Sequence, residues 1–142
     1  MHEIDLDAID ILFIENVGNL VCPASFDLGQ HRNIALLSVP EGDDKPSKYP
    51  VMFRAADLVI ISKVDLLPVL DDFSVERARS NVRALANAAP VLEVSARPTH
   101  SLDAWFDWLN AQVSAHRESC GRGESLRPKL QPDGARLHGL AT

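Results

Sequence analysis

The chain has 142 residues, of which 46% are hydrophobic and 24% charged, a composition that fits one globular domain of ordinary size. Fourteen basic residues against twenty acidic ones give a formal net charge of −6, and this acidic balance argues against binding to nucleic acid. No apolar run reaches the roughly 18 residues that a membrane span needs. Two cysteines are too few for a disulfide framework, so we expect a cytoplasmic protein without a membrane partner.

Four short, nearly continuous apolar runs predict buried β-strands. They cover Ile9 to Glu15, Ile34 to Val39, Leu58 to Ser62 and Val91 to Ser95. Each run is rich in branched side chains, and most do not alternate with polar residues, which is typical of strands covered on both faces.

Amphipathic segments between and after these runs predict helices. A short one begins at Pro50, a favoured first helical residue, and a longer one follows Ser74, a suitable N-cap. The last begins after Ser101 and carries Trp105 on its apolar face. Strands that alternate with helices imply an α/β fold, with a parallel sheet and helices on both faces.

The composition changes after His116. Glycines and prolines interrupt a polar sequence from there onward. We therefore expect a domain over residues 1–116 and a disordered tail over residues 117–142.

Polar motifs follow three of the predicted strands. They read Glu15-Asn16-Val17-Gly18, Ser62-Lys63-Val64-Asp65 and Ser95-Ala96-Arg97. Ligands bind at the carboxyl ends of parallel strands, and in this order the motifs resemble the third, fourth and fifth motifs of GTP-binding domains. Each motif alone is weak, since an Asp after a strand is more often a helix cap or a turn residue.

Guanine explains why these residue types would occur together. A fixed carboxylate at Asp65 can accept hydrogen bonds from N1–H and the exocyclic amine of guanine, donors that adenine does not present in that pattern. The stem of Lys63 can lie along the flat base, and a backbone amide at Ser95 or Ala96 can donate to O6. Ser62 stands where an Asn or Thr is usual in such motifs.

A longer stretch adds a specific family resemblance. The run Glu15-Asn16-Val17-Gly18-Asn19-Leu20-Val21-Cys22-Pro23-Ala24-Ser25-Phe26-Asp27-Leu28-Gly29 and the segment from Glu41 to Pro50 closely resemble the HypB family, GTPases that help to insert nickel into hydrogenase. The resemblance covers about residues 4 to 112. It implies a P-loop GTPase fold, GTP or GDP with magnesium as ligand, a homodimer, hydrogenase maturation proteins as partners, and Glu15, Asn16 and Gly18 as a switch segment.

The phosphate-binding loop of such GTPases is missing from the sequence. None of the seven glycines is followed by Lys, whereas a P-loop ends in Gly-Lys-Ser/Thr. We therefore expect the C-terminal half of the domain, an incomplete P-loop GTPase fold that binds nucleotide weakly and does not hydrolyse GTP alone. The absent strand would leave a gap beside the first predicted strand, or force that strand to pair directly with the second.

The resemblance also implies a metal site. In the family, the cysteine at position 22 binds zinc or nickel, and His31 is the nearest following imidazole. The alternative is that Cys22 is a small buried hydrophobic residue. The other four histidines, which share no element, are predicted to be solvated: His2, His100, His116 and His138. Asp43 and Asp44 are interpreted as a solvated acidic loop rather than a magnesium pair.

Three hypotheses remain from the sequence. The first is a truncated nickel-insertion GTPase that keeps guanine specificity. The second is a nonenzymatic metal-binding or dimerisation module, and the third is a decayed gene fragment.

Overall fold

The sheet is parallel and has three strands. The computed structural model describes residues 8–16, 29–97 and 102–124. Within them the strands are β1 (Ile34–Ser38), β2 (Leu58–Ser62) and β3 (Val91–Val94), in the order β1-β2-β3. The last three predicted strands are thus confirmed to within one residue.

Helices connect and cover the strands. Between β1 and β2 lie α1 (Lys45–Lys48) and α2 (Pro50–Ala55), between β2 and β3 lies α3 (Val75–Ala84), and α4 (Asp103–Gly121) follows β3. Two 3-10 helices, Val39–Glu41 and Val64–Val69, follow β1 and β2. This is the open α/β fold that the sequence predicts, and no helix in the described ranges is long and apolar enough to cross a membrane.

The central strand β2 is packed on both faces. Val59 and Ile61 belong to a core cluster with side chains of α2 and α3. Leu58 and Ile60 belong to a second cluster, completed by the tryptophans of α4. Because side chains alternate across a strand, the continuous apolar run of β2 supplies both layers.

Asp43 joins the loop after β1 to the start of α3. It is buried, and its carboxylate accepts hydrogen bonds from Ser74 N (2.6 Å) and Arg77 Nε (2.9 Å). Ser74 in turn caps α3 by accepting from Arg77 N at 3.2 Å, as the sequence predicts. The prediction that Asp43 belongs to a solvated loop is therefore wrong, whereas Asp44 is exposed and pairs with Lys48.

The predicted first strand is also wrong. Residues 11–16 join no sheet, and Leu12, Phe13 and Ile14 are more than half exposed. A strand needs a ladder partner as well as an apolar pattern, and β2 is the partner that β1 has among the described residues. Instead the segment lies against α4, where Phe13 contacts the Trp105 ring (centroids 6.4 Å apart) and Asp10 pairs with Arg117. Of the two alternatives for the missing strand, direct pairing with β1 is not observed.

The last helix extends beyond His116, where the sequence predicts the end of the domain. The helix continues to Gly121, because the residues after His116 include no helix breaker before the glycines at 121 and 123. The first residues of the predicted tail therefore belong to α4. The remainder of the predicted tail, residues 125–142, lies outside the described residues.

Candidate functional site

The carboxyl ends of β2 and β3 lie side by side. The two strands are paired in parallel, with Ser62 in register with Val94. The residues that follow each strand therefore emerge at the same edge of the sheet. This pairing brings the second and third polar motifs together, as the sequence analysis expects.

Ser95 connects the two motifs directly. It is 1% exposed, and its hydroxyl donates to Asp65 Oδ1 at 2.6 Å. The Ser95 hydroxyl oxygen also accepts a hydrogen bond from Arg97 N at 3.1 Å. Because the hydroxyl has a single proton, the bond from the backbone orients that proton toward the carboxylate. The buried Ser95, directly after β3, thus holds the carboxylate of Asp65, which follows β2.

The Asp65 carboxylate keeps capacity for a ligand. The residue is exposed, and the hydrogen bond from Ser95 occupies one lone pair of Oδ1. A carboxylate has about four acceptor positions, so Oδ2 and the rest of Oδ1 can accept further donors. The arrangement is chemically suited to two parallel N–H donors.

Lys63 sets the turn that presents Asp65. Its backbone is left-handed, with φ 60° and ψ 39°, and its carbonyl accepts from Leu66 N at 3.0 Å. A non-glycine residue in this conformation costs about 1–2 kcal/mol, and such strained residues cluster at functional sites. Lys63 is exposed in the turn that leads to Asp65, and the methylene groups of its side chain can pack against a flat ligand.

The structure describes some of the remaining predicted site residues. Ser62 is half-buried at the end of β2, and Ala96 is exposed directly after Ser95. Glu15 and Asn16 are exposed at the end of the segment that joins no sheet. Two predicted residues, Gly18 and Cys22, lie outside the described residues.

His31 lies against α4. Its ring meets the ring of His116 edge to face, with centroids 4.0 Å apart, and His116 Nε2 is 3.4 Å from Cys120 Sγ. The prediction that His116 is simply solvated is therefore wrong: the residue is half-buried and in contact with both neighbours. The i,i+4 spacing of His116 and Cys120 could have indicated this cluster in the sequence, since such residues share a helix face.

Comparisons with known proteins agree with this architecture. The family description "CobW/HypB/UreG, nucleotide-binding domain" matches residues 1–93. The "Hydrogenase maturation factor HypB" of Escherichia coli (strain K12) is 52% identical over 110 residues, covering 78% of this chain and 38% of the relative. The "Hydrogenase/urease maturation factor HypB" of Helicobacter pylori (strain J99) is 47% identical over 114 residues, covering 80% of this chain and 46% of the relative.

Solved structures give the same result. HypB from Helicobacter pylori in complex with nickel aligns with a TM-score of 0.67 and 45% identity, over 70% of this chain and 46% of that one. HypB from Archaeoglobus fulgidus aligns with a TM-score of 0.62 and 36% identity, over 66% of this chain and 50% of that one. The chain thus spans half or less of the length of these relatives. On the family match and these similarities together, the chain belongs to the CobW/HypB/UreG nucleotide-binding family and is a HypB-type member of it.

Proposed function

We propose that this chain carries the guanine-recognition part of a HypB-type nucleotide-binding domain. The observation that carries the proposal is the hydrogen bond from buried Ser95 to exposed Asp65, which fixes an acid at the adjoining ends of β2 and β3. In this proposal the carboxylate accepts from N1–H and the exocyclic amine of guanine. Lys63 lies along the base, a backbone amide at Ser95 or Ala96 donates to O6, and Ser62 supports the turn.

Discrimination between bases follows from the donors and acceptors. Adenine presents no N1–H beside an exocyclic amine, so it would leave the Asp65 carboxylate facing an acceptor. A hydrogen bond to a charged group contributes about 1.5–3 kcal/mol, more than a bond between neutral groups, and this contribution is lost when adenine replaces guanine. The proposed pocket therefore favours guanine over adenine by at least about tenfold.

The affinity for the nucleotide's phosphates depends on a loop outside the guanine site. The sequence contains no Gly-Lys-Ser/Thr loop, and the phosphate and magnesium contacts dominate both the affinity and the chemistry of GTPases. For this polypeptide we expect weak binding, with GDP losing little relative to GTP, little dependence on magnesium, and no GTP hydrolysis on its own.

The decisive experiment converts the base specificity. In Asp65→Asn an amide nitrogen replaces one carboxylate oxygen, so the side chain presents one acceptor and one donor. That pattern matches xanthine, which has N1–H beside a carbonyl. We expect the variant to lose at least about tenfold in affinity for GDP and to gain affinity for xanthosine diphosphate, measured by ligand-observed NMR titration with ADP as the reference.

A matched control separates base recognition from charge. Asp71 is an exposed acid in the loop after the Val64–Val69 helix, so Asp71→Asn removes the same charge away from the strand ends. This control should leave the preference for guanine unchanged. Equal binding of GDP and ADP by the wild-type chain, or the same specificity in Asp65→Asn as in wild type, would overturn the proposal.

The proposal of a metal function is based on the chain's similarity to HypB proteins. The HypB structure from Helicobacter pylori is described as a complex with nickel, and the curated relatives are hydrogenase maturation factors. We propose that this chain likewise takes part in nickel handling for hydrogenase maturation, as a homodimer, with Cys22 as a nickel or zinc ligand and His31 as its candidate neighbour. Loss of nickel or zinc uptake in Cys22→Ala supports this assignment, and unchanged metal content contradicts it.

A further inference from the structure

A cluster on α4 has donor chemistry that the proposed nucleotide site does not use. It consists of His116 and Cys120 on the helix and His31 on the loop before β1. Two of these residues lie beyond the residues 1–93 that the family description matches. His116 and Cys120 are far along the chain from Cys22, whereas His31 is shared with the Cys22 assignment proposed above, so substitution of each cysteine in turn distinguishes the two sites. The cluster is independent of the guanine proposal.

The two helix residues are already spaced as metal ligands. His116 and Cys120 are one turn apart on one face of α4, and Nε2 and Sγ are 3.4 Å apart. Donors bound to one tetrahedral zinc ion, with bonds of about 2.0–2.1 Å to nitrogen and about 2.3 Å to sulfur, are about 3.5 Å from each other. The observed separation therefore needs almost no adjustment to hold an ion.

The loop that carries His31 is fastened to the same part of α4. Arg32 Nε donates to Gln112 Oε1 at 2.6 Å, one turn before His116. The loop is also held at β1, where Asn33 N donates to Asp57 Oδ2 at 2.9 Å. These bonds hold the loop beside α4, where the centroids of the His31 and His116 rings are 4.0 Å apart.

One movement separates the observed arrangement from a complete site. Among the described residues, no three His, Cys, Asp or Glu side chains are already grouped as a metal site. The His31 ring contacts the His116 ring edge to face. His31 is exposed, so a change of its side-chain rotamer, which exchanges its present contacts for a bond to the ion, leaves the core in place.

We propose that His31, His116 and Cys120 bind a divalent metal ion of the zinc class, with water as the fourth ligand. A thiolate with two imidazoles is a borderline-soft donor set, which suits Zn²⁺ and Co²⁺ in tetrahedral geometry and excludes Mg²⁺ and Ca²⁺. Such an ion would cross-link the loop before β1 to the C-terminal half of α4.

The test uses Co²⁺ as a spectroscopic probe on the full chain. Because Cys22 and Cys120 are the two cysteines of the sequence, a sulfur-to-cobalt charge-transfer band can be assigned by single substitutions. We expect a band with tetrahedral character in wild type and in Cys22→Ser, and its loss in Cys120→Ser. Competition by Zn²⁺ should abolish the band at equimolar metal.

The histidines are tested by affinity. Substitution of outer-shell groups already lowers metal affinity by about 10–100-fold, so His116→Ala and His31→Ala should each weaken Co²⁺ binding by at least about tenfold. Circular dichroism checks that each variant is folded, and Ser114→Ala, at an exposed position of the same helix, serves as the control. No thiolate band in wild type, or a band that survives in Cys120→Ser and disappears in Cys22→Ser, overturns the proposal. Unchanged affinity in His31→Ala overturns the assignment of the third ligand.

The result is distinguishable from failure of the nucleotide proposal. Cys120→Ser leaves the ends of β2 and β3 untouched, so its preference for GDP over ADP should equal that of wild type. A metal site without guanine specificity, or guanine specificity without a metal site, can therefore be recognised in the same set of proteins.

Discussion

Replacement of Asp43 by alanine tests the most connected polar contact of the fold. The carboxylate accepts hydrogen bonds from Ser74 N at 2.6 Å and Arg77 Nε at 2.9 Å, and Arg77 Nη2 forms an ion pair with it at 2.8 Å. Asp43→Ala removes both hydrogen bonds and the ion pair at once. It leaves the Ser74 N–H and the Arg77 guanidinium without this partner at the start of α3.

The expected cost depends on what each donor can recover from water. The side chain of Arg77 is 61% exposed, so the guanidinium is rehydrated, and its loss counts as a surface pair of at most about 1 kcal/mol. Ser74 N is partly buried, and an unsatisfied backbone donor costs about 1–3 kcal/mol. Together these contributions lower the expected free energy of unfolding of Asp43→Ala by about 1–4 kcal/mol.

Urea unfolding followed by tryptophan fluorescence measures this change, since Trp105 and Trp108 lie on α4, across the sheet from α3. The midpoint should fall while the slope with urea stays constant, because the surface exposed on unfolding is unchanged. The neighbouring Asp44→Ala is the matched control, since Asp44 is exposed and its partner is Lys48. Equal midpoints for the Asp43 and Asp44 variants would refute the reasoning.

Two further predictions concern the backbone after α3 and the pH dependence of one ion pair. Ala86 has φ 57° just beyond the helix, so Ala86→Gly should raise stability by about 0.5–1 kcal/mol in thermal unfolding, whereas Ala84→Gly inside the helix should lower it. A hydrogen bond from Lys48 holds the pKa of Asp44 below its ordinary value and raises the pKa of Lys48. The stabilisation by this pair is therefore present between the ordinary carboxyl and lysine pKa values. It is lost as the pH falls through the lowered pKa of Asp44 or rises through the raised pKa of Lys48. Carboxyl NMR titration should return the Asp44 pKa toward its ordinary value in Lys48→Met, and an unchanged titration would contradict the assignment.

The strands show what a sequence pattern can predict and what it cannot. The run at β2 is read correctly because its residues are buried by local neighbours on both faces. The run from Ile9 to Ile14 is similarly apolar, but none of the strands in the described part of the chain pairs with it, and it lies exposed along α4 instead. Hydrophobicity indicates that a segment can be a strand, but the hydrogen-bonding partner that makes it one is not encoded in the segment itself.

The polar contacts divide in the same way. The closeness of Asp65 and Ser95 follows from the rule that parallel strands end at a common edge, so order along the chain was sufficient. The burial of Asp43 depends on Arg77, which lies on an element after the next strand, and no local pattern links the two. The contact between His31 and His116 likewise joins distant parts of the chain through the packing of α4.

The position of β2 has a consequence for the energetics of ligand capture. This strand is bordered by a neighbour on each edge and covered by side chains on each face, so its end is the most constrained point of the described sheet. The turn that bears Asp65 starts from that end and is tied to the exit of β3. In the proposed guanine site, the acceptor is therefore oriented by folding before the base binds, and little conformational entropy of the Asp65 side chain would be lost on association.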